Sequence, residues 1–232
     1  MKYSVKWHGH ATVEITTAEG TVIFIDPWFE NGVGNASVDT IEKADIVLIT
    51  HDHFDHRGNA GALMQKCKEA ILVAQPEFLG AMQQEFGIPD EQIVNGGGGM
   101  NIGGTVQIKD VRITMTEAVH SSNNGEPSGF ILEIDGERIY HAGDTSIFAS
   151  MGLLAQLYPM TTALLPIGGV FTMDPVQAAE AVKILGVANV IPIHYKTFPI
   201  LEPNADRFVK LAREVAPNAK VIVPEPGEAV EF

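Results

Sequence analysis

The sequence predicts an α/β fold, a single domain over residues 1–232 built from two β-rich halves, on three observations. Short β-branched runs alternate with helical patterns to the end of the chain, a hairpin opens it, and no linker-like stretch divides it. With 45% hydrophobic and 19% charged residues in 232, the composition is that of a chain able to bury a sizeable core, which excludes disorder and collagen-like repeats.

The first elements are strands. Apolar runs at Ala11 to Thr16 and Thr21 to Ile25 flank Ala18-Glu19-Gly20, which reads as a hairpin turn, and a third run spans Ile46 to Ile49. After residue 58, Ala60, Leu63, Met64 and Cys67 fall at i, i+3, i+4 and i+7, one face of a helix, so Cys67 is expected to pack in the core rather than act as a nucleophile. Ile71 to Ala74 follows as a strand. Gly96 to Gly99 lacks the Gly-Lys-Ser/Thr that completes a phosphate loop and reads as a surface turn. The second half begins near Gly103, with strands at Val111 to Thr116, Phe130 to Ile134, Arg138 to His141, Ala163 to Leu165 and Val190 to Ile193. Asp174-Pro175 with Gln177 marks a helix start, and Phe208, Leu211, Ala212 and Val215 give the last helix its apolar stripe.

Charge and cysteine content narrow the partners. Fifteen Lys+Arg against 29 Asp+Glu leave a formal charge of −14, which argues against a partner held by phosphate neutralisation and hence against nucleic acid. One cysteine allows neither an intrachain disulfide nor a thiolate-only zinc site and fits a reducing compartment. Nothing near the start resembles an apolar export signal, and no run approaches the roughly 18 apolar residues of a membrane span. A soluble cytoplasmic protein is expected, and the match of Asn35-Ala36-Ser37 to a glycosylation acceptor carries no weight in it.

The chemistry concentrates in Thr50-His51-Asp52-His53-Phe54-Asp55-His56, a predicted strand-end loop between the run Ile46 to Ile49 and a helix beginning near Gly58. Three imidazoles and a carboxylate at H-x-H-x-D-H spacing can converge on two adjacent metal sites, because alternate side chains share a direction and the turn redirects the last two. With 8 histidines in the chain, a shuffled sequence contains that pattern in roughly 4 cases per 10,000, so chance is a poor explanation. His120 and His194 end predicted strands, and His141 precedes Gly143-Asp144-Thr145, so all can reach one rim.

By these motifs the sequence resembles the metallo-β-lactamase-fold hydrolases. The family's H-x-H-x-D-H corresponds to His51, His53, Asp55 and His56, its third ligand histidine to His120, its bridging aspartate to Asp144 and its last histidine to His194. Trp7-His8-Gly9-His10-Ala11, Phe24-Ile25-Asp26-Pro27-Trp28, Tyr140 to Thr145, and Pro166-Ile167-Gly168-Gly169 running on to Phe171-Thr172-Met173-Asp174-Pro175 look like the branch of metal-dependent hydrolases related to bacterial L-ascorbate-6-phosphate lactonase. Ala118-Val119-His120-Ser121-Ser122 does not resemble the Gly-His-Thr-Pro-Gly-His run of hydroxyacylglutathione hydrolases.

The resemblance implies a four-layer αβ/βα sandwich, two mixed β-sheets flanked by helices, with a binuclear metal centre at one edge. It implies that His51, His53 and His120 hold one divalent ion, that Asp55, His56 and His194 hold the second, and that Asp144 bridges them. Neutral imidazoles and carboxylates suit zinc, manganese or iron alike, and zinc is the expected ion. A hydroxide between the ions would attack an ester, lactone or phosphodiester of a small substrate, anionic ones included, with Asp55 orienting it. His141 is a candidate proton donor to the leaving group or else a packing residue. Asp26 is either a carboxylate partner of a ligand histidine or a turn residue before Pro27. His8 and His10 at the first hairpin, and Lys196 after His194, are candidates for contacts behind the ligands or to substrate. No Gly-x-Ser-x-Gly elbow supports Ser121 or Ser122 as a nucleophile. The competing readings are a nucleic-acid phosphodiesterase on the same fold and a non-catalytic metal-binding or sensing protein. A homo-oligomer is compatible with the sequence.

Overall fold

In the computed structural model, which describes residues 2–232, thirteen strands form two sheets. The first half supplies β1 (Tyr3–Trp7), β2 (Val13–Thr17), β3 (Val22–Ile25), β4 (Ile46–Leu48), helices α1 (Phe54–Arg57) and α2 (Ala60–Lys66), β5 (Ile71–Val73) and α3 (Pro76–Phe86). The second supplies β6 (Thr105–Ile108), β7 (Val111–Glu117), β8 (Ser128–Ile134), β9 (Glu137–His141), α4 (Met151–Leu157), β10 (Thr162–Pro166), α5 (Pro175–Leu185), β11 (Asn189–Ile193), α6 (Asp206–Val215), β12 (Lys220–Val221) and β13 (Ala229–Glu231). Short 3-10 turns at Val38–Thr40 and Asp90–Gln92 complete the inventory.

Both sheets follow one plan: an antiparallel meander that continues into parallel strands. In the first, β1, β2 and β3 pair antiparallel and β3, β4 and β5 pair parallel; in the second, β6 to β9 are antiparallel and β9 to β12 parallel. The last strand returns to the first sheet, where β13 pairs antiparallel with β1.

The residue patterns explain the layers. In β1 and β2 buried and half-buried side chains alternate, as a strand with one covered face requires. The parallel strands are buried on both faces: Ile23, Ile25, Ile46 and Leu48 join the core shared with Met115, Phe130, Leu132 and Leu164 of the facing sheet. Their neighbours Phe24 and Val47 point the other way, into a second core with Leu63 and Met64 of α2 and Phe78, Leu79 and Met82 of α3. A hydrogen bond of 2.9 Å between the Tyr3 and Thr162 hydroxyls ties the two sheets together. These layers are the two mixed sheets flanked by helices that the resemblance implies. Cys67 is half-buried at the margin of the second core, as its helical spacing predicts.

The ligand-dense segment departs from the expected open loop. Phe54 to Arg57 closes a turn of helix, with His53 as the extended residue before it and the Arg57 N–H bonding back to the His53 carbonyl at 3.0 Å. That turn aims Asp55 and His56 differently from His51 and His53. The strand expected to end at His120 stops at Glu117, which leaves His120 on a loop. Among the described residues, no helix is long and apolar enough to cross a membrane.

The start of α5 is as the sequence predicts: the Asp174 carboxylate accepts from the N–H groups of Val176 and Gln177, and Pro175 occupies the first turn. Asp174→Ala is expected to lower the unfolding free energy by about 1 kcal/mol, read as a shift in urea midpoint at unchanged slope.

Candidate metal centre

Parallel strands bring their carboxyl ends to a common edge, and there the chemistry-bearing residues gather. Asp26 follows β3, His51 follows β4, Asp144 follows β9, and His194 follows β11 directly. The β1–β2 connection adds His10, α1 adds Asp55 and His56, and the loop after β7 adds His120.

The donor atoms fall into three overlapping groups, each within 4.8 Å: His51, His53 and His120; His51, His56 and Asp144; and His10, Asp55, His56 and His194. The Asp144 Oδ2 oxygen lies 3.0 Å from His194 Nε2, 3.2 Å from His56 Nε2 and 3.6 Å from His120 Nε2, at the centre of the set. His51 Nε2 and His53 Nδ1 are 2.9 Å apart. Two imidazole lone pairs tolerate that separation only when they share a proton or a cation.

Asp26 organises the floor of the centre. Its fully buried carboxylate accepts from the Thr50 N–H (2.8 Å), the Thr50 hydroxyl (2.7 Å) and His56 Nδ1 (2.8 Å). Since the one Thr50 hydroxyl proton goes to Asp26, its oxygen accepts from His51 Nδ1 at 3.0 Å, which turns the His51 Nε2 lone pair toward the cluster. Burial, reinforced by the charge of His56, pushes the His51 imidazole down to about 3, so it is neutral at pH 7. Burial also disfavours a charged His56, but the carboxylates of Asp144 and Asp26 outweigh it and hold that imidazole well above its usual value. For Asp144, burial is outweighed by the charges of His194 and His56, and the carboxyl stays well below the carboxylate range.

This electrostatic arrangement fits divalent cations. Asp26 and Asp144 are buried anions beside imidazoles, and burying charge is costly unless it is paired. His56 Nε2, Asp144 Oδ1 and His194 Nδ1 are buried with no hydrogen-bond partner. Cations among these imidazoles and carboxylates would satisfy Asp144 Oδ1 and His56 Nε2 together.

The remaining candidates divide. His10 joins the cluster: its Nε2 lies 3.0 Å from Asp55 Oδ2 and its Nδ1 2.9 Å from the Thr197 hydroxyl. Burial, then the neighbouring charge of His194, takes this imidazole down to about 4. Burial raises Asp55, yet the bond from His10 and the charge of His56 outweigh it and leave the carboxyl below its ordinary range.

His8, by contrast, turns away, bonding Glu14 at 2.9 Å beside Phe24 and Phe29. His141 is fully buried and does not reach the cleft. Its Nε2 donates to the Ala11 carbonyl at 3.2 Å and its Nδ1 accepts from the Gly143 N–H at 3.2 Å, so neither nitrogen is free to give a leaving group a proton, and the catalytic expectation for His141 is corrected to a packing role. Lys196 is exposed and is not among the residues lining the cleft.

Two positioning residues escape sequence reasoning. Asp52 sits between the cluster histidines, yet its carboxylate accepts from the Ser122 hydroxyl (2.9 Å), the Asn123 N–H (2.9 Å) and the Asn124 amide (2.7 Å), which fastens the loop bearing His120. The run of donors Ser122-Asn123-Asn124 was the available signal. Thr50 is the other, and nothing in its spacing marks it.

Backbone strain is concentrated here. His10, Asp26 and His194 hold φ of +51°, +49° and +56°, a region that non-glycine residues rarely occupy. Close approach then fixes two glycines: a Cβ at Gly168 would lie 2.2 Å from the His194 carbonyl oxygen, and one at Gly143 would lie 2.4 Å from that of Ser128. Gly168→Ala is expected to destabilise the metal-free protein by about 1–3 kcal/mol in chemical denaturation, as overpacking against backbone does.

Residues 21–195 match the Beta-lactamase superfamily domain. A UPF0173 metal-dependent hydrolase of Nitratidesulfovibrio vulgaris is 45% identical over 99% of this chain and 95% of its own, and one of Myxococcus xanthus is 43% identical over 97% and 82%. The structure of Igni18, a metallo hydrolase from the hyperthermophilic archaeon Ignicoccus hospitalis, superposes with a TM-score of 0.87 at 36% identity, covering 99% of both chains. With its cluster at the shared edge of two sheets and full-length relatives of this similarity, the chain belongs to the UPF0173 metal-dependent hydrolases of the beta-lactamase superfamily.

Proposed function

We propose that the protein is a binuclear metal-dependent hydrolase that cleaves an ester or lactone of a small molecule. In this reading His51, His53 and His120 hold one divalent ion, Asp55, His56 and His194 hold the other, and Asp144 lies between them. Zinc is the ion we assign from the imidazole and carboxylate donors, and manganese or iron suits the same set. When bound, such a pair lowers the pKa of a water to about 7 and polarises the oxygen that gains charge.

The observation that carries the proposal is a donor set, gathered from separate strand ends, that leaves Asp144 Oδ1 buried without a partner and His56 Nε2 with only an ionic contact to Asp144 Oδ2 at 3.2 Å. The chain's own part is orientation. Asp26 fixes the His56 ring through Nδ1, Thr50 fixes His51, and His10 holds the Asp55 carboxylate. The reaction adds water across the acyl C–O bond: a new bond forms to the carbonyl carbon, the bond to the alkoxy oxygen breaks, and that oxygen takes up a proton. No Lys or Arg lines the cleft, which favours a carbonyl centre over a phosphodiester and weighs against a nucleic-acid substrate. The single cysteine suits a reducing, cytoplasmic setting.

His53→Ala and Asp144→Ala are each expected to lose at least one equivalent of metal, by elemental analysis, with the circular dichroism spectrum retained. Full metal content in both variants would overturn the ligand assignment. Asp26→Ala should keep the ligands but weaken metal affinity about 10- to 100-fold in competition with a chromogenic chelator, because the His56 ring loses its anchor. Hydrolysis of chromogenic esters should stop on chelation and return with zinc; turnover that persists without metal would sink the proposal.

A further inference from the structure

The walls of the cleft differ in kind from its floor. Above His53, His120, Asp144 and His194 opens a cavity of about 610 Å³, the size of a small-molecule site. Its walls are Phe54, Phe171, Phe198 and Ile200. Phe54 is 64% exposed, Phe171 55% and Ile200 58%. Phe54 lies between two proposed ligands, yet its ring leaves the protein interior and meets Trp28 edge-on at 5.6 Å, while Trp28 stacks on Phe198 at 5.8 Å. Large apolar side chains held together in water mark a surface built for contact.

A second observation concerns the backbone that presents Phe171. Val170 takes φ +58°, a region unfavourable for a β-branched residue, and is itself 68% exposed. The Phe171 N–H bonds back to the Gly169 carbonyl at 2.6 Å around it, a tight three-residue turn. The turn is closed by the Gly169 N–H bonding the Met173 carbonyl at 3.0 Å, and it leaves both Val170 and Phe171 exposed.

Charge decides what such walls accept. Among the described residues, none lining the cavity is a Lys or Arg, so away from the metal-binding floor the walls offer no cation. A phosphate or carboxylate on the part of the substrate that lies against the walls, beyond reach of the metal site, would meet apolar rings with no cationic side chain to balance it.

We infer that the protein selects uncharged acyl substrates, esters or lactones bearing an aryl or branched alkyl group that packs against Phe54, Phe171, Phe198 and Ile200, and that it discriminates against phosphorylated and carboxylated ones. This selectivity rests on the hydrolase reading above for its reaction, but the walls can be tested separately from the chemistry.

The zinc-loaded full chain is assayed with two esters of one leaving group, p-nitrophenyl phenylacetate and p-nitrophenyl succinate, each corrected for spontaneous hydrolysis. The phenylacetyl ester is expected to be favoured at least tenfold in kcat/KM, and Phe171→Ala to cut that ratio by about tenfold, mainly through KM, as the loss of a buried aromatic contact predicts. A succinyl ester turned over as well as the phenylacetyl one overturns the inference and leaves the hydrolase reading intact. In parallel, calorimetric titration with phenylacetamide and succinamate reads binding without turnover. Binding of phenylacetamide alone, with the negative heat-capacity change of apolar burial, supports the inference even if both esters prove inert, a result that would sink the hydrolase reading instead. Equal or tighter binding of succinamate overturns it. So does a fall in oligomer mass for Phe171→Ala by light scattering with the ester ratio unchanged, since the walls would then serve contact between copies.

Discussion

A fully buried carboxylate, Asp26, accepts three hydrogen bonds at the end of β3, and the geometry of the cluster is hung from it. One bond goes to the Thr50 backbone, which fixes where β4 releases the chain; another takes the Thr50 hydroxyl proton and so sets the orientation of His51; the third holds His56. A buried anion is tolerated only when fully paired, and these donors are the means. Because the donors lie on the segment that carries the clustered histidines, satisfying Asp26 also positions them. His56 then transmits the arrangement to Asp144, which belongs to the other sheet. The centre is therefore a device that joins two sheets as well as a candidate reaction site.

Such a device costs backbone strain, and its location is informative. The left-handed conformations at His10, Asp26 and His194 lie on connections that leave a strand and turn at once into the cleft. A regular continuation of the strand would carry these side chains past the cleft. Close packing holds the strained forms: the His194 N–H bonds the His10 carbonyl at 2.8 Å, and Gly168 presses against the His194 carbonyl. Strain at Val170 is of another kind, since that residue is exposed and its turn is held by backbone bonds among Gly169, Phe171, Thr172 and Met173 rather than by packing of its own side chain.

The floor and the walls of the cleft thus obey opposite rules. Below, polar atoms are buried and oriented by hydrogen bonds that leave unpartnered lone pairs facing inward; above, apolar rings are left in solvent. Electrostatics in the first region strengthens as water is excluded, and apolar walls are what exclude it.

Much of this was legible in the sequence. Strand and helix periods are local, so β2, β3, β7, β9, β10, β11 and the capped start of α5 are evident from residue order, whereas the grouping of His51, His53, Asp55, His56, His120, Asp144 and His194 was an expectation carried by the resemblance of their motifs to a known family. Tertiary structure alone decided the rest. It paired β13 with β1 across the whole chain, a contact with no local signature. It turned His141 into the interior and His8 toward Glu14, although both neighbour functional-looking motifs, because the direction of a side chain at a strand end depends on what packs opposite. It gave Asp52 a loop to hold, left Lys196 outside the cleft, and assembled an apolar mouth from Phe54, Phe171, Phe198 and Ile200. Those rings are scattered along the chain and meet only when it is folded, so no period or spacing could have foretold their company.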